Sequence, residues 1–310
     1  MKAEIDGRTA NLPDFLVVGA NKGGTTSLYY YLKQHPGIFM PVKEPNFFAF
    51  GGERPPEGTH PKAKDQAAIV WRFEDYVRLF DKAAEGQVLG EVSTPYLTGH
   101  HQVIPNIKRF VPGWEELKII MVLREPAARA FSQYSMYRLW GVERLEFEEA
   151  VMEHTDFTGK TSEVSRYVGP GYYYEQVKAY MDNFTHVKVC LFDDLEADCP
   201  GLVRDIFRFL GVDDSFVPQM GTRYNPSGAP WSRLFHRFLS TPSVLSSRVP
   251  FLKLVPLEKR AAMTDKLIML NIRKRVEMKE ETRRRLRDLY REDVLRLQDL
   301  IGRDLSAWLK

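Results

Sequence analysis

The chain has 310 residues, of which 44% are hydrophobic and 27% are charged, as is usual for a globular protein. Its net charge of +3 is too small to indicate a nucleic-acid partner, although it suits a site for a small anion. Neither Cys190 nor Cys199 belongs to a CxxC pair or a histidine cluster, which argues against a disulfide framework or a zinc site.

The predicted elements alternate along the chain. Predicted strands cover residues 15–18, 88–97 (running into a loop), 117–125 and 186–195; predicted helices cover 26–34, 73–83, 170–184 and 199–212, and Pro126 opens another. Residues 40–48 and 51–64 are rich in proline or glycine, so we expect extended or looped chain there. Strands that alternate with helices favour a parallel sheet with crossover helices. We predict an α/β fold in one domain over 1–310, with a central parallel sheet, flanking helices and a mostly helical C-terminal third.

The two ends of the chain add expectations about location and partners. The N-terminal segment MKAEIDGRTANLPD is polar, and no apolar run is long enough to span a membrane, so we expect a cytoplasmic enzyme. The last helix, RKRVEMKEETRRRLRDLYRED, interleaves basic and acidic residues. This pattern favours a solvated face with ion pairs, and contact with a membrane or polyanion is the alternative. The oligomeric state is left open.

Residues 19–27, GANKGGTTS, follow the apolar run FLVV and precede a helix-like run. A strand, a glycine-rich turn and a helix together present backbone N–H groups to a phosphate. The Walker pattern GxxxxGK[ST] does not fit, because Thr25 stands where its lysine would be and the lysine is Lys22. An early lysine, with Thr25, Thr26 and Ser27 at the helix start, suits a nucleotide that carries sulfate and needs no metal. A glycine turn without a ligand is the alternative.

A second segment, VLREPAARAFSQY, places Arg124 at the end of a buried strand and Ser132 on the following helix. Open parallel sheets bind ligands at the carboxyl ends of their strands, so this segment and the glycine-rich turn can share one nucleotide. An arginine fork with a hydroxyl suits a terminal phosphate. Alternatively, Arg124 pairs with Glu125 or Glu91 and Ser132 is a surface residue.

GANKGGTTSLYYYLKQHPGI resembles the 5′-phosphosulfate loop of the sulfotransferases that use 3′-phosphoadenosine 5′-phosphosulfate (PAPS), in the branch of the heparan-sulfate enzymes and their bacterial relatives. VLREPAARAFSQY resembles the 3′-phosphate segment of that family, and KEPNFF resembles its catalytic-glutamate segment. GEVSTPYL, GPGYYYEQ and FRFLGV follow in family order, so the likeness covers about residues 14–212.

The resemblance implies a single P-loop-like α/β domain, PAPS as donor and no metal. It implies donor-binding roles for Lys22, Gly23, Gly24, Thr25, Thr26, Ser27, Arg124 and Ser132. In the family a late loop also closes over the nucleotide, and the candidates in this chain are Arg223, Ser227, Gly228 and Arg233.

The resemblance further implies that Glu44 is the general base that takes the proton of an attacking hydroxyl, with Lys22 as its catalytic partner at the leaving phosphate. An exposed loop glutamate is the alternative. His100 and His101 are rival bases or acceptor contacts, unless they are solvated. Tyr172 is a candidate for the acceptor cleft, unless it packs in the core.

The predicted reaction is sulfuryl transfer from PAPS to a hydroxyl of a carbohydrate, a lipid or another small-molecule or carrier-bound acceptor. Val92 stands where several heparan-modifying relatives have a lysine near the acceptor, which disfavours a strongly anionic glycan. The alternatives are a phosphate-loop kinase or NTPase, a nucleotide-binding module without catalysis, and N-sulfation of an amine.

Overall fold

The computed structural model describes residues 1–5, 8–58, 69–152, 166–220, 229–230, 272–274 and 277–310. The strands are β1 (Lys2–Ile5), β2 (Arg8–Asn11), β3 (Phe15–Gly19), β4 (Ile38–Phe39), β5 (Val88–Val92), β6 (Lys118–Leu123), β7 (His186–Leu191), β8 (Ala229–Pro230) and β9 (Ile272–Lys274). The α-helices are α1 (Thr25–Leu32), α2 (Phe47–Phe50), α3 (Phe73–Arg78), α4 (Pro95–Thr98), α5 (His100–Phe110), α6 (Pro126–Leu139), α7 (Phe147–Met152), α8 (Tyr174–Asn183), α9 (Phe192–Ala197), α10 (Cys199–Leu210) and α11 (Glu280–Ile301). Short 3₁₀ helices cover Trp114–Glu116, Gly169–Gly171 and Ser306–Leu309.

The central sheet has five strands in the order β4-β5-β3-β6-β7, and every neighbouring pair is parallel. This arrangement confirms the predicted parallel sheet with flanking helices. The chain passes from β5 on one side of β3 to β6 on the other, so the strand order reverses next to β3. The crevice at such a reversal is where open α/β sheets bind ligands.

The central strands are buried on both faces because they consist almost wholly of apolar residues. Phe15 and Val17 of β3 and Ile120 of β6 are 0% exposed, and they pack in one apolar cluster with residues of α1 and α10. Burial of this kind fixes the register of the strands, and with it the position of the loops at their carboxyl ends.

Several elements differ from their predicted bounds. The predicted strand over 186–195 ends at Leu191, where the Asp194 carboxylate accepts the N–H of Leu191 (3.1 Å) and α9 begins. The predicted strand from residue 88 ends at Val92. The helix predicted over 73–83 is shorter than expected and ends at Arg78. Helix α5 was not predicted, because Pro105 interrupts its apolar pattern. The two-stranded pairs β1-β2 and β8-β9 were not predicted either.

The described residues form two compact units. The first contains those within 1–129, 170–224 and 290–310, and the second those within 130–169 and 225–289. The five-stranded sheet belongs to the first unit, while one domain over 1–310 stays a prediction. Helix α11 confirms helical structure near the C-terminus, and residues 231–271 of the predicted helical third lie outside the described residues.

Ion pairs occur along the basic last helix, as its interleaved charges predicted. Arg285 pairs with Glu281 at 2.6 Å, one turn away, and Arg296 pairs with Glu175 at 3.1 Å. Across the described ranges, no helix combines the length and the apolar character that crossing a membrane requires.

Candidate active site

The glycine-rich turn after β3 packs tightly against β6. The N–H of Ala20 donates to the carbonyl oxygen of Val122 (2.9 Å), and a Cβ atom on Gly23 would lie 2.1 Å from the same oxygen. Gly24 has a φ of 93°, and a Cβ atom there would lie 2.7 Å from Cδ2 of Leu195. Both positions therefore require glycine, and the turn fixes where α1 begins.

Helix α1 begins at Thr25, directly after Gly24, which has no side chain to cap it. The N–H groups of the first turn of a helix have no carbonyl partner within the helix, and the helix dipole places positive charge there. Thr25 is 3% exposed, and the hydroxyl-bearing Thr26 and Ser27 are partly buried in the same turn. The helix start predicted from the sequence is thus confirmed within one residue, in a form suited to an anion.

Lys22 lies in this turn in a left-handed conformation with a φ of 71°. The pKa of Lys22 is lowered to about 8, chiefly by burial and also by the charges of Arg124, Lys43 and Arg129, while the charge of Glu44 opposes them. Cations gathered this closely repel one another, and a bound polyanion removes that repulsion. The structure therefore brings together Lys22, Arg124 and Glu44, as the sequence predicted, and adds Lys43 and Arg129.

Arg124 follows the last residue of β6. Its Nη1 donates to the carbonyl oxygen of Lys22 (3.3 Å), and its guanidinium carbon lies 4.3 Å from the centre of the Phe192 ring. The carbonyl oxygen of Arg124 accepts a hydrogen bond from the hydroxyl of Tyr173 (3.0 Å), whose side chain is fully buried. Arg124 is thus held beside the glycine-rich turn. The contacts of Arg124 with Phe192 and Tyr173 were not predicted from the sequence, because they join distant segments.

The carboxylates proposed as alternative partners of Arg124 have other roles. Glu125 accepts the N–H groups of Ala127 (3.1 Å) and Ala128 (2.6 Å), and so caps α6. Glu91 is 1% exposed and accepts hydrogen bonds from three hydroxyl groups described below. The charge of Glu125 still acts on Arg124, so an ion pair between these two residues stays the alternative.

Glu44 lies in the loop after β4, with a φ of 59°. Its N–H donates to the carbonyl oxygen of Val92 (2.8 Å), and its Oε1 accepts from the hydroxyl of Thr94 (3.2 Å) and contacts Nζ of Lys43. The side chain keeps 31% of its surface exposed. The carboxylate is therefore oriented by the end of β5 and still open to an acceptor.

A buried carboxylate lies behind this loop, on β5. Glu91 accepts hydrogen bonds from the hydroxyls of Tyr76 (2.9 Å), Tyr96 (3.0 Å) and Ser93 (3.0 Å). Burial raises the pKa of Glu91 to about 7, against the opposing effect of these three hydrogen bonds. The sequence suggested Glu91 only as an alternative partner of Arg124 and missed its three hydroxyl partners, although a glutamate within the apolar strand VLGEV needs buried polar partners.

The position of Val92 contradicts the inference that valine here disfavours a strongly anionic glycan. Its side chain is 0% exposed and packs in the apolar cluster with Phe15 and Leu28, while its carbonyl oxygen takes the N–H of Glu44. A side chain at this position lies in the core. The presence of valine here therefore gives no reason to disfavour an anionic glycan.

The other predicted donor residues are Ser132 and the late-loop candidates. Ser132 is on α6, in the second unit, and is 7% exposed, so the alternative of a surface residue is wrong. Its pairing with Arg124 on a 3′-phosphate stays a prediction. The late-loop candidates Arg223, Ser227, Gly228 and Arg233 lie outside the described residues.

The predicted acceptor residues lie around α8. His100 and His101 have ring centres 3.8 Å apart and line a surface pocket with Glu175, Lys178 and Asp182. His100 is 6% exposed, and burial followed by the charge of His101 lowers its pKa. Their acceptor role stays a prediction.

The ring centres of Tyr172 and Tyr290 lie 5.0 Å apart. Burial raises the pKa of Tyr172 to about 12. Its place in the acceptor cleft also stays a prediction. Within the described ranges, no cluster of three or more histidine, cysteine, aspartate or glutamate residues is arranged to hold a metal ion.

The sequence and the fold were compared with known proteins. A model of the "Sulfotransferase family" matches residues 13–216, well over half of the chain. This chain belongs to the sulfotransferase family. The crystal structure of a sulfotransferase from Alicyclobacillus acidocaldarius is similar over 97% of this chain and 100% of that chain, with 30% identity and a TM-score of 0.71. The resemblance seen in the sequence is therefore confirmed at the level of the family, as are the transferase class and the α/β fold, and the kinase alternative is excluded.

Curated relatives include enzymes that act on heparan sulfate. The chain is 26% identical to the mouse bifunctional heparan sulfate N-deacetylase/N-sulfotransferase 4 over 72% of its length and 25% of that protein. It is 27% identical to the mouse heparan sulfate glucosamine 3-O-sulfotransferase 3A1 over 42% of its length and 28% of that protein. A membrane-associated sulfotransferase of Dictyostelium discoideum is 31% identical over 44% of this chain and 25% of that protein. The match thus spans about a quarter of the length of these relatives.

Proposed function

We propose that this sulfotransferase uses PAPS as its donor and transfers the sulfuryl group to a hydroxyl of a carbohydrate, a lipid or another small-molecule or carrier-bound acceptor. The observation that carries the proposal is the gathering of Lys22, Arg124 and Glu44 in loops at the carboxyl edge of the parallel sheet. Cations there suit an anionic donor, and a partly exposed carboxylate suits an acceptor that must lose a proton.

The donor site fits a nucleotide with phosphate at both ends of its ribose. The first turn of α1, Lys22 and the hydroxyls of Thr25, Thr26 and Ser27 would hold the 5′-phosphosulfate, with Gly23 and Gly24 keeping the chain close to β6. Arg124 would hold the 3′-phosphate. Ser132 and the late-loop residues Arg223, Ser227, Gly228 and Arg233 stay candidates for contact with the donor. No metal is assigned to the reaction.

The reaction is an in-line displacement at sulfur. The acceptor oxygen forms a bond to sulfur, and the bond between sulfur and the bridging oxygen of the 5′-phosphate breaks, leaving its electron pair on the phosphate. Glu44 takes the proton of the acceptor hydroxyl, and its carboxylate is oriented for this by Thr94. Lys22 neutralises the charge that develops on the leaving phosphate.

The names of the relatives include both N- and O-sulfotransferases. We assign a hydroxyl acceptor because a hydroxyl group stays protonated until it attacks, and a carboxylate base can then take that proton. N-sulfation stays the alternative. The expected cytoplasmic location is likewise a prediction.

An acceptor screen with labelled PAPS tests the assignment. The panel pairs a fully N-acetylated glucosamine polysaccharide with its de-N-acetylated form, and adds neutral sugars, alkyl alcohols and phenols. We expect label on the N-acetylated polysaccharide or on the simple alcohols. Transfer confined to the de-N-acetylated polymer would contradict the hydroxyl assignment, and failure to transfer label to any member would contradict the proposed acceptor classes.

A further inference from the structure

The loop that carries Glu44 is attached to the end of β5 by hydroxyl groups. The N–H of Asn46 donates to Oγ of Ser93 (3.1 Å), and the N–H of Phe48 donates to the hydroxyl oxygen of Tyr96 (3.1 Å). Both hydroxyls in turn donate to the buried Glu91 carboxylate. Glu91 is therefore linked to the main chain just after Glu44 by two short relays, each made of one hydroxyl group and two hydrogen bonds.

The direction of each relay follows from the chemistry of the groups. A hydroxyl has one proton to donate and lone pairs with which to accept. An ionised carboxylate only accepts, so it takes the protons of Ser93 and Tyr96 and leaves their lone pairs facing the loop. A neutral amide in place of Glu91 has two protons of its own to donate, so at least one hydroxyl can no longer point its proton at residue 91.

The loop needs such support because of its backbone. Glu44 and Asn46 both have a φ of 59°, in the left-handed region that residues with a Cβ atom avoid. Such conformations persist where surrounding contacts over-determine them. The hydrogen bonds of Asn46 and Phe48 hold the short segment that follows Glu44. If that segment lost its order, the Glu44 carboxylate would move.

We propose that Glu91 is a positioning residue for sulfuryl transfer: through the hydroxyls of Ser93 and Tyr96 it holds the Glu44 loop so that the Glu44 carboxylate meets the acceptor hydroxyl. This inference rests on the proposed function, which makes Glu44 the base. It gives Glu91 no contact with donor or acceptor. Its effect appears in kcat, while affinity for the donor product depends on other residues.

The chain offers a matched pair of variants. Tyr76 and Tyr96 are both 0% exposed, and both hydroxyls donate to Oε1 of Glu91. They differ in that Tyr96 accepts a loop N–H, whereas no loop N–H in the described chain donates to the Tyr76 hydroxyl. Tyr96→Phe and Tyr76→Phe thus remove the same hydrogen bond from Glu91, but only Tyr96→Phe releases the loop.

The experiment measures amide hydrogen exchange over residues 44–50, and kcat with the best acceptor of the panel above, for Tyr96→Phe, Tyr76→Phe and Glu91→Gln. The assays are made above the Glu91 pKa of about 7, where the carboxylate is ionised. We expect Tyr96→Phe and Glu91→Gln to speed exchange and to lower kcat by up to about 10²-fold, the size of effect expected from a misplaced catalytic group. Tyr76→Phe should leave both near the wild-type values.

A double-mutant cycle separates positioning from general loss of stability. If Tyr96 acts through Glu44, Tyr96→Phe costs nothing further in a Glu44→Gln background. Equal losses of kcat in Tyr96→Phe and Tyr76→Phe, or an undiminished loss in the Glu44→Gln background, would overturn the positioning role. Wild-type turnover in Glu44→Gln alone would instead overturn the base assignment. If Glu91→Gln does not fold, Ser93→Ala takes its place in the same comparison.

Discussion

Lys22 and Glu44, the two residues assigned to the chemistry, both adopt left-handed backbone conformations, with φ angles of 71° and 59°, and their charges interact. Residues in such conformations cost of order 1–3 kcal/mol each and concentrate at functional sites. Both residues lie in loops at the carboxyl edge of the sheet, one after β3 and one after β4. These conformations have an explanation if they direct the Lys22 ammonium group and the Glu44 carboxylate toward the same reacting group.

The donor product adenosine 3′,5′-bisphosphate (PAP) should stabilise the protein more than ATP with Mg²⁺ does. The turn has no Walker lysine, and Arg124 is the proposed ligand of a 3′-phosphate, a group that ATP lacks. A ligand present at one hundred times its dissociation constant adds about 2.7 kcal/mol to the free energy of unfolding. Thermal unfolding with equimolar ligands measures the difference, and greater stabilisation by ATP with Mg²⁺ would contradict the donor assignment.

The affinity for PAP should fall as pH rises through the pKa of Lys22. That pKa is lowered to about 8, so the free protein loses the Lys22 proton above this pH, and binding of the anion must then take a proton up. Calorimetry above and below pH 8, in buffers of different ionisation enthalpy, measures the uptake. Lys22→Arg keeps its charge over this pH range, so its PAP affinity should not depend on pH. Lys22→Met has no charge to lose, so its affinity should also be independent of pH, but lower. A wild-type affinity that does not change with pH would refute the placement of Lys22 at the phosphate.

Arg124→Ala should remove the preference for PAP over AMP, which lacks the 3′-phosphate. The 3′-phosphate is remote from the sulfur and changes little during reaction, so KM for PAPS should rise more than kcat falls. Arg208→Ala, on the exposed face of α10, is the matched control because the Arg208 side chain is 64% exposed and pairs with Asp214. If Arg124→Ala kept the wild-type ratio of PAP to AMP affinity, Arg124 would not be the 3′-phosphate ligand.

Gly24→Ala should be costlier than Gly113→Ala, although both glycines have positive φ angles, of 93° and 71°. Each substitution pays about 1–2 kcal/mol for the left-handed conformation. A Cβ atom at Gly24 also meets Leu195 at 2.7 Å, whereas nothing lies within 4 Å of one at Gly113. Denaturant unfolding and PAP calorimetry measure the two effects. Equal stability losses with unchanged PAP affinity would mean that the turn tolerates a side chain.

The loops of the site could be predicted from the sequence because each follows a recognisable element. GANKGG follows an apolar strand and LREP ends another, so both had to lie at the same edge of a parallel sheet. Other features depend on contacts between distant segments. The partners of Glu91 come from residues 76, 93 and 96, and only the fold brings them to one carboxylate. Helix α9 was predicted as strand because the capping role of Asp194 is decided by local geometry that the apolar pattern does not show.

The most direct test of the central claim compares transfer of label from PAPS by the wild type, Glu44→Gln and Glu53→Gln, with PAP affinity measured on the same preparations. Gln keeps the size of Glu but cannot take the acceptor proton, and general-base catalysis contributes roughly 10²–10⁴-fold. Glu53 is an exposed glutamate after α2 and serves as the control. We predict that Glu44→Gln lowers kcat by that factor with PAP affinity unchanged, while Glu53→Gln behaves as wild type. Wild-type turnover in Glu44→Gln would contradict the account, and loss of PAP binding would show that Glu44 supports the donor site instead of the acceptor.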